Sequence, residues 1–256
     1  MNLRINGCVV LFTGASAGLG EAVALELARE GATLALAARR ANLLNAVALK
    51  AEQAGAKSAR GFVADFYDRD AVRRLVSDVE RAYGKIDILV VNGEGPKPGS
   101  FLDMSIDDWD RAYNGKLRAP LELVYATVPA MRARGWGRVV ALTSMTVREP
   151  SATLVLSNAY RTALISALKT LLIEVAPDGV TVNAIATGTF LTNRLLELYG
   201  GDEALLRTSV AGETSIKRVG RSEEFSPMVA FLSGEGAGYI TGQTISVNGG
   251  FVKALF

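Results

Sequence analysis

The chain is expected to form a single α/β domain, a Rossmann-type doubly wound parallel sheet of about seven strands, and three observations lead there. Short apolar runs alternate with stretches of helical periodicity along nearly the whole length. The first run, Cys8-Val9-Val10-Leu11-Phe12, passes through Thr13-Gly14-Ala15-Ser16-Ala17-Gly18-Leu19-Gly20 directly into helix-periodic sequence beginning at Glu21. A length of 256 residues buries one sizeable core, and α/β sheets of this size commonly form one domain. Such alternation implies parallel strands, because right-handed crossovers lay successive helices over both faces of the sheet. Ligands then bind beyond the carboxyl ends of the strands.

The elements follow in order. A strand at 33–38 and a helix at 41–54 are succeeded by a strand at 59–64, a helix at 69–83 and a strand at 86–91. Two long helical stretches, about 106–133 and about 153–176, flank a strand at 138–143, and a sixth strand occupies 180–185. Residues 187–220 are less regular, with Gly188, Gly200, Gly201 and Gly212 punctuating short helical pieces, and read as a substrate lid within the domain rather than a plain surface insertion. Ser222-Glu223-Glu224 opens a helix that ends near Ser233-Gly234, and Gln243–Val247 makes the last strand, closed by Asn248-Gly249-Gly250.

Composition excludes several classes of chemistry. The chain has no histidine, which removes Ser-His-Asp, Cys-His and His-ligated metal sites, so no metal is expected. Its single cysteine, Cys8, excludes an internal disulfide and reads as a packed small side chain. Every apolar run is broken well before the roughly 18 to 20 residues of a bilayer span. The segment Met1–Asn6 runs almost at once into the first strand, so no signal peptide and a cytoplasmic location are expected. Net charge is +2 with both signs interleaved, giving no footprint for nucleic acid, and Arg132, Arg134 and Arg138 read as a solvated helix end.

The glycine-rich turn points to a dinucleotide. Between a strand and a helix, it lets backbone N–H groups approach a diphosphate that the positive end of the helix dipole favours, making Gly14, Ser16, Gly18, Leu19 and Gly20 the candidate contacts. The acid that would hold an adenosine 2'-hydroxyl belongs at the end of the second strand, where this chain has Ala38 followed by Arg39 and Arg40. Without a carboxylate and with two guanidiniums at hand, a 2'-phosphate is the better fit, so NADP(H) is expected over NAD(H), with Arg39 as its partner and Arg40 opening the next helix.

With these residues the chain resembles the short-chain dehydrogenase/reductase family over nearly its whole length. Further landmarks are Asp65 after the third strand and Asp87-Ile88-Leu89-Val90-Val91-Asn92-Gly93 in the fourth. Ser144 follows the fifth strand, Gly188 and Thr192 the sixth, and Tyr239-Ile240-Thr241-Gly242-Gln243 precedes a strand ending in Asn248-Gly249-Gly250. The resemblance implies a nicotinamide cofactor with Asp65 near the adenine, Phe66 and Gly188 among its contacts, Asn92 and Gly93 along the ribose and Thr192 near the carboxamide. It also implies a dimer or homotetramer. The helices at about 106–133 and 153–176 and the apolar tail Phe251–Phe256 are candidate surfaces for that assembly.

The catalytic positions depart from the family pattern of Asn, Ser and Tyr-x-x-x-Lys. Counted from Trp109 the Asn position falls on Lys116, and counted from Ser144 the Tyr and Lys positions fall on Ser157 and Arg161. Tyr160 is followed four residues later by Leu164, so it does not restore the spacing. A serine hydroxyl donates a hydrogen bond but does not ionise usefully near neutral pH, and an arginine does not give up a proton. Arg161 can still hold the nicotinamide ribose. Lys116 is the candidate replacement acid, its pKa lowered by burial and by Arg161; the alternative is a solvated lysine beside an impaired site.

The expected function is an NADP(H)-dependent oxidoreductase of the 3-oxoacyl-reductase-like kind, interconverting a small-molecule carbonyl and alcohol. Ser144 and Ser157 would polarise the oxygen, Lys116 would supply the proton and Arg161 would anchor the ribose. One alternative is a nucleotide-binding protein of the same fold with little or no activity. Another is a lyase or dehalogenase on the same scaffold. Arg161 is similar to the arginine of halohydrin dehalogenases, but the tyrosine those enzymes use is absent and the glycine turn they lack is present.

Overall fold

The computed structural model describes residues 2–254. Seven strands form one sheet: β1 (Val9–Thr13), β2 (Thr33–Ala38), β3 (Ser58–Val63), β4 (Ile88–Val91), β5 (Gly137–Leu142), β6 (Val180–Thr187) and β7 (Thr244–Val247). Their spatial order is β3-β2-β1-β4-β5-β6-β7 and every pair is parallel. The order reverses between β1 and β4, so a crevice opens beyond their carboxyl ends.

Strands buried on both faces need apolar residues at consecutive positions, which explains the unbroken runs in the sequence. In β1, Val10 and Phe12 enter one core while Val9 and Leu11 enter the other. The first core is covered by α1 (Leu19–Arg29), α2 (Ala41–Ala54) and α9 (Ser222–Ser233). The second is covered by α3 (Arg69–Tyr83), α5 (Ala119–Ala133) and α6 (Val155–Val175), with α4 (Ile106–Tyr113) preceding α5. Among the described residues no helix is long and apolar enough to cross a membrane.

Three sequence expectations are corrected. The strand expected at 86–91 is bounded at Ile88, although Asp87 N still donates to Val9 O at 2.9 Å; the Asp87 carboxylate accepts from Val9 N at 2.9 Å and pairs with Lys85 at 3.0 Å. Arg138 is not a solvated helix-end residue. It lies in β5, buried, with its guanidinium 4.4 Å from the Trp136 ring centroid and donating to the carbonyls of Gly234, Gly137 and Gly179. The helix expected over about 106–133 is helical throughout but changes hydrogen bonding at Asn114–Arg118, which form a π-helical turn between α4 and α5.

Between β6 and α9 the chain builds α7 (Asn193–Leu198) and α8 (Glu203–Glu213) around a small core of their own, Leu206, Val210 and Val219 with Leu191, Leu195 and Leu196. The two ends of this segment are tied together: Leu191 N donates to Gly220 O at 2.9 Å and Gly220 N donates to Thr189 O at 3.1 Å. The apolar tail expected at 251–256 has its last two residues outside the described residues.

Candidate active site

The crevice is built from the strand ends. Thr13 Oγ1 donates to Asn92 O at 2.6 Å and accepts from Asn92 N at 2.9 Å, fastening the end of β1 to the end of β4. The Asn92 amide donates to Gly14 O at 3.2 Å. Gly14 and Gly18 hold φ of 67° and 57°, a backbone conformation that side chains disfavour. Gly20 is required for a different reason: a Cβ there would lie 2.1 Å from Gly14 O. No side chain caps the start of α1, which leaves its first turn open towards the crevice. These are features a diphosphate needs, and the residues present fit a dinucleotide.

Ser16 is also held in this turn, accepting a long 3.5 Å hydrogen bond from Arg40. Arg40, expected to do no more than open α2, therefore reaches back towards the same crevice as Arg39. Arg39 pairs with the Glu94 carboxylate, whose other oxygen lies 3.8 Å from Arg194 at the start of α7. Glu94 was not among the expected site residues; its signal in the sequence was an acid two positions beyond Asn92. Asp65 sits exposed just past β3 and accepts from Tyr67 N at 3.0 Å, while Phe66 beside it packs on the second core.

Thr192 caps α7 through Oγ1, which accepts from Leu195 N at 3.2 Å. Its methyl group lies 3.2 Å from the position a Cβ on Gly18 would take, so the segment after β6 rests against the glycine turn. Gly188 has a packing reason of its own: its Cβ would fall 2.4 Å from Asn248 Cα.

Lys116 occupies the middle of the π-helical turn. Its side chain is enclosed, with the residue 7% exposed, and Nζ lies 3.2 Å from where a Cβ on Gly93 would be. That excludes a solvated helix residue. The turn is seated by its neighbours: a Cβ on Gly115 would lie 2.5 Å from the Tyr67 ring, and Arg118 donates to Tyr67 O at 3.2 Å. Single π turns inside α-helices recur at functional sites.

Ser157 and Arg161 lie one helical turn apart on α6, where residues four apart share a face. Arg161 Nε donates to Ser157 Oγ at 3.1 Å and Nη1 donates to Leu142 O at 3.0 Å, which fixes the guanidinium against the end of β5. Ser144, two residues beyond Leu142, accepts from Thr146 N at 3.2 Å. Tyr160 is packed instead against Trp109 and Tyr113 of α4, at ring-centroid distances of 5.7 and 6.1 Å, and makes no hydrogen bond to Ser144, Ser157 or Arg161.

The electrostatics follow from burial. Enclosure and then the Arg161 guanidinium push the Lys116 ammonium down to about 7; Arg39 acts in the same direction and Glu94 against it. Burial lowers Arg161 to about 10, which still leaves it cationic at neutral pH. The arrangement therefore offers one exchangeable proton, one permanent cation and two serine hydroxyls along the end of β5. Among the described residues no group of three or more Cys, Asp or Glu side chains is placed to hold a metal ion.

Fold and crevice together define a dinucleotide-binding α/β protein. The family described as "Enoyl-(Acyl carrier protein) reductase" matches residues 14–252. Human "Dehydrogenase/reductase SDR family member 4" is 35% identical over 249 residues, spanning 96% of this chain and 88% of that protein. "NADPH-dependent reductase BacG" of Bacillus subtilis (strain 168) is 30% identical over 253 residues, 94% of this chain and 96% of that one. Among solved structures, L-sorbose reductase from Gluconobacter frateurii, complexed with NADPH and L-sorbose, superposes with a TM-score of 0.94 at 30% identity, covering 100% of both chains. The chain belongs to the short-chain dehydrogenase/reductase family.

Proposed function

We propose that this protein is an NADP(H)-dependent oxidoreductase that interconverts a small-molecule carbonyl and its alcohol, with Lys116 as the proton donor. The observation that carries the reading is the enclosed Lys116 ammonium beside Arg161, in a crevice where Ser144 and Ser157 offer hydroxyls that donate hydrogen bonds without giving up a proton. NADPH-dependent relatives support the cofactor, as does the absence of an acid after Ala38. Gly14, Ser16, Gly18, Leu19 and Gly20 would cradle the diphosphate. Arg39, with Arg40 behind it, would receive the 2'-phosphate. Asp65 and Phe66 would flank the adenine, Asn92 and Gly93 the ribose, and Gly188 and Thr192 the carboxamide end. The segment 187–220 is read as the lid.

The reduced nicotinamide, when bound, supplies the hydride that attacks the carbonyl carbon. Ser144 and Ser157 donate hydrogen bonds to the carbonyl oxygen, and the π-electron pair of the C=O bond becomes the new O–H bond by taking a proton from Lys116 Nζ. Arg161 holds the ribose and keeps positive charge beside the developing oxyanion throughout, which lowers its energy without a proton being moved. A positioned acid of this kind accounts for about 100 to 10,000-fold in rate, or about 3 to 5.5 kcal/mol of barrier.

Lys116→Met tests the reading. Turnover on a panel of ketones is expected to fall by at least about 100-fold while NADPH fluorescence titration reports unchanged binding. The wild-type reductive rate is expected to decline about tenfold per unit above pH 7, because the acid must carry its proton. Full turnover by Lys116→Met would remove Lys116 from the chemistry.

A further inference from the structure

Lys116 is enclosed and Arg161 lies half-buried beside it in one crevice, and among the described residues no carboxylate lies within ion-pairing distance of either. Glu94, the carboxylate that bears on Lys116, is engaged by Arg39 on one oxygen and lies near Arg194 on the other. The charged groups facing Lys116 are thus Arg161 from α6, Arg39 from the end of β2 and Glu94 from the loop after β4. Two of the three are cations. Arg161 donates to Ser157 Oγ and Leu142 O, which hold its guanidinium at the end of β5.

A third charge entering such a space is felt strongly, because buried like charges are poorly screened. The two oxidation states of a nicotinamide differ in this respect: the reduced ring is neutral and the oxidised ring carries one positive charge. We propose that Lys116 makes the crevice select between these states, the reduced cofactor being held with Lys116 as an ammonium and the oxidised cofactor with Lys116 as a free amine. The inference rests on the proposed oxidoreductase reading, which puts the nicotinamide beside Ser144, Ser157 and Arg161.

The consequence is a directional bias. The oxidised ring either meets an ammonium and binds weakly or expels its proton, so below neutral pH the reduced cofactor is the tighter ligand. During reduction the proton that leaves Lys116 for the substrate oxygen removes one positive charge as the ring acquires one, so the charge of the enclosure does not change. Lys116 is then an acid in the complex that needs an acid and an amine in the complex that does not.

Binding alone tests this. Dissociation constants for NADPH and NADP+ are measured by calorimetry at pH 6 and pH 8, in buffers of different ionisation enthalpy to count protons. A mutual depression of one to two pK units makes the ratio of the NADP+ to the NADPH constant about five to ten times larger at pH 6 than at pH 8. At pH 7, NADP+ is expected to release more protons than NADPH; the 2'-phosphate, common to both, cancels in that difference. Lys116→Met and Lys116→Gln are both expected to remove the pH dependence of the ratio, while the folded state is checked by circular dichroism. A ratio that does not change with pH in the wild type, or one that still changes in both variants, overturns the inference while leaving the oxidoreductase reading standing. Failure of both cofactors to bind overturns the two together.

Discussion

Removing Lys116 is expected to make the protein more stable while making it inactive. The ammonium is pushed from its ordinary 10.5 down to about 7 by enclosure and by Arg161, so the folded state holds its proton less well than the unfolded chain does. Between pH 7 and 10.5 the unfolded chain carries a proton that the folded one lacks, and stability rises with pH across that window. Below pH 7 both states are protonated and the whole penalty stands. A displacement from 10.5 to about 7 corresponds to about 5 kcal/mol of unfavourable burial, which Lys116→Met would relieve at pH 6. At pH 9, about two units above the folded value, about half of that advantage has gone, because the wild type has already shed the proton. Urea unfolding of both proteins at pH 6 and pH 9, without nucleotide and at one protein concentration, gives the difference directly, and the packing contribution of the new methionine cancels between the two pH values. An advantage that stays constant from pH 6 to pH 9 would refute the reasoning.

Other changes address other parts of the site. Glu94→Gln frees Arg39 from its half-exposed ion pair, worth about 0.2 to 1 kcal/mol, so the NADPH dissociation constant is expected to fall by up to about fivefold while that for NADH is unmoved; equal shifts for both cofactors would detach Arg39 from the 2'-phosphate. Gly20→Ala drives a methyl group against Gly14 O and is expected to lose dinucleotide binding in fluorescence titration and about 1 to 3 kcal/mol in denaturation. The double change Ser157→Tyr, Arg161→Lys is expected to lower ketone turnover further, since it removes the Arg161–Leu142 and Arg161–Ser157 contacts around which Lys116 is set; a gain in turnover would mean that the wild-type site is merely impaired.

The sheet was legible because its strands are buried on both faces, which forces apolar residues into consecutive positions, and because its helices show their covered side every three or four residues. The helices at 41–54 and 69–83 match their expected limits for that reason. Arg138 misled because it follows Arg132 and Arg134 closely and so reads as part of the same solvated helix end, whereas two of its carbonyl partners come from Gly179 and Gly234, far along the chain. The glycine turn was legible from local spacing, whereas Asn92 entered only through the resemblance to the family. Glu94 and Arg194 were not legible, since only the fold brings α7 across to the end of β4. For Lys116 the sequence left a buried and a solvated reading open, because the π-helical turn that carries it, with Tyr67 packed against Gly115, has no signal in local spacing.

On the proposed reading, Lys116 and Arg161 work as a pair. Arg161 remains cationic even when burial brings it to about 10, so it presses on the Lys116 ammonium at every pH at which the protein works. A lysine at position 161 would be a second exchangeable group in the same enclosure, and the two would share one proton between them with neither a defined acid. With arginine there, the proposed mechanism has a single exchangeable proton, on Lys116 Nζ. The pinning of Arg161 by Leu142 O keeps the repulsion constant, since a guanidinium free to swing away would let the ammonium return towards its ordinary value and cease to be a useful acid near neutral pH.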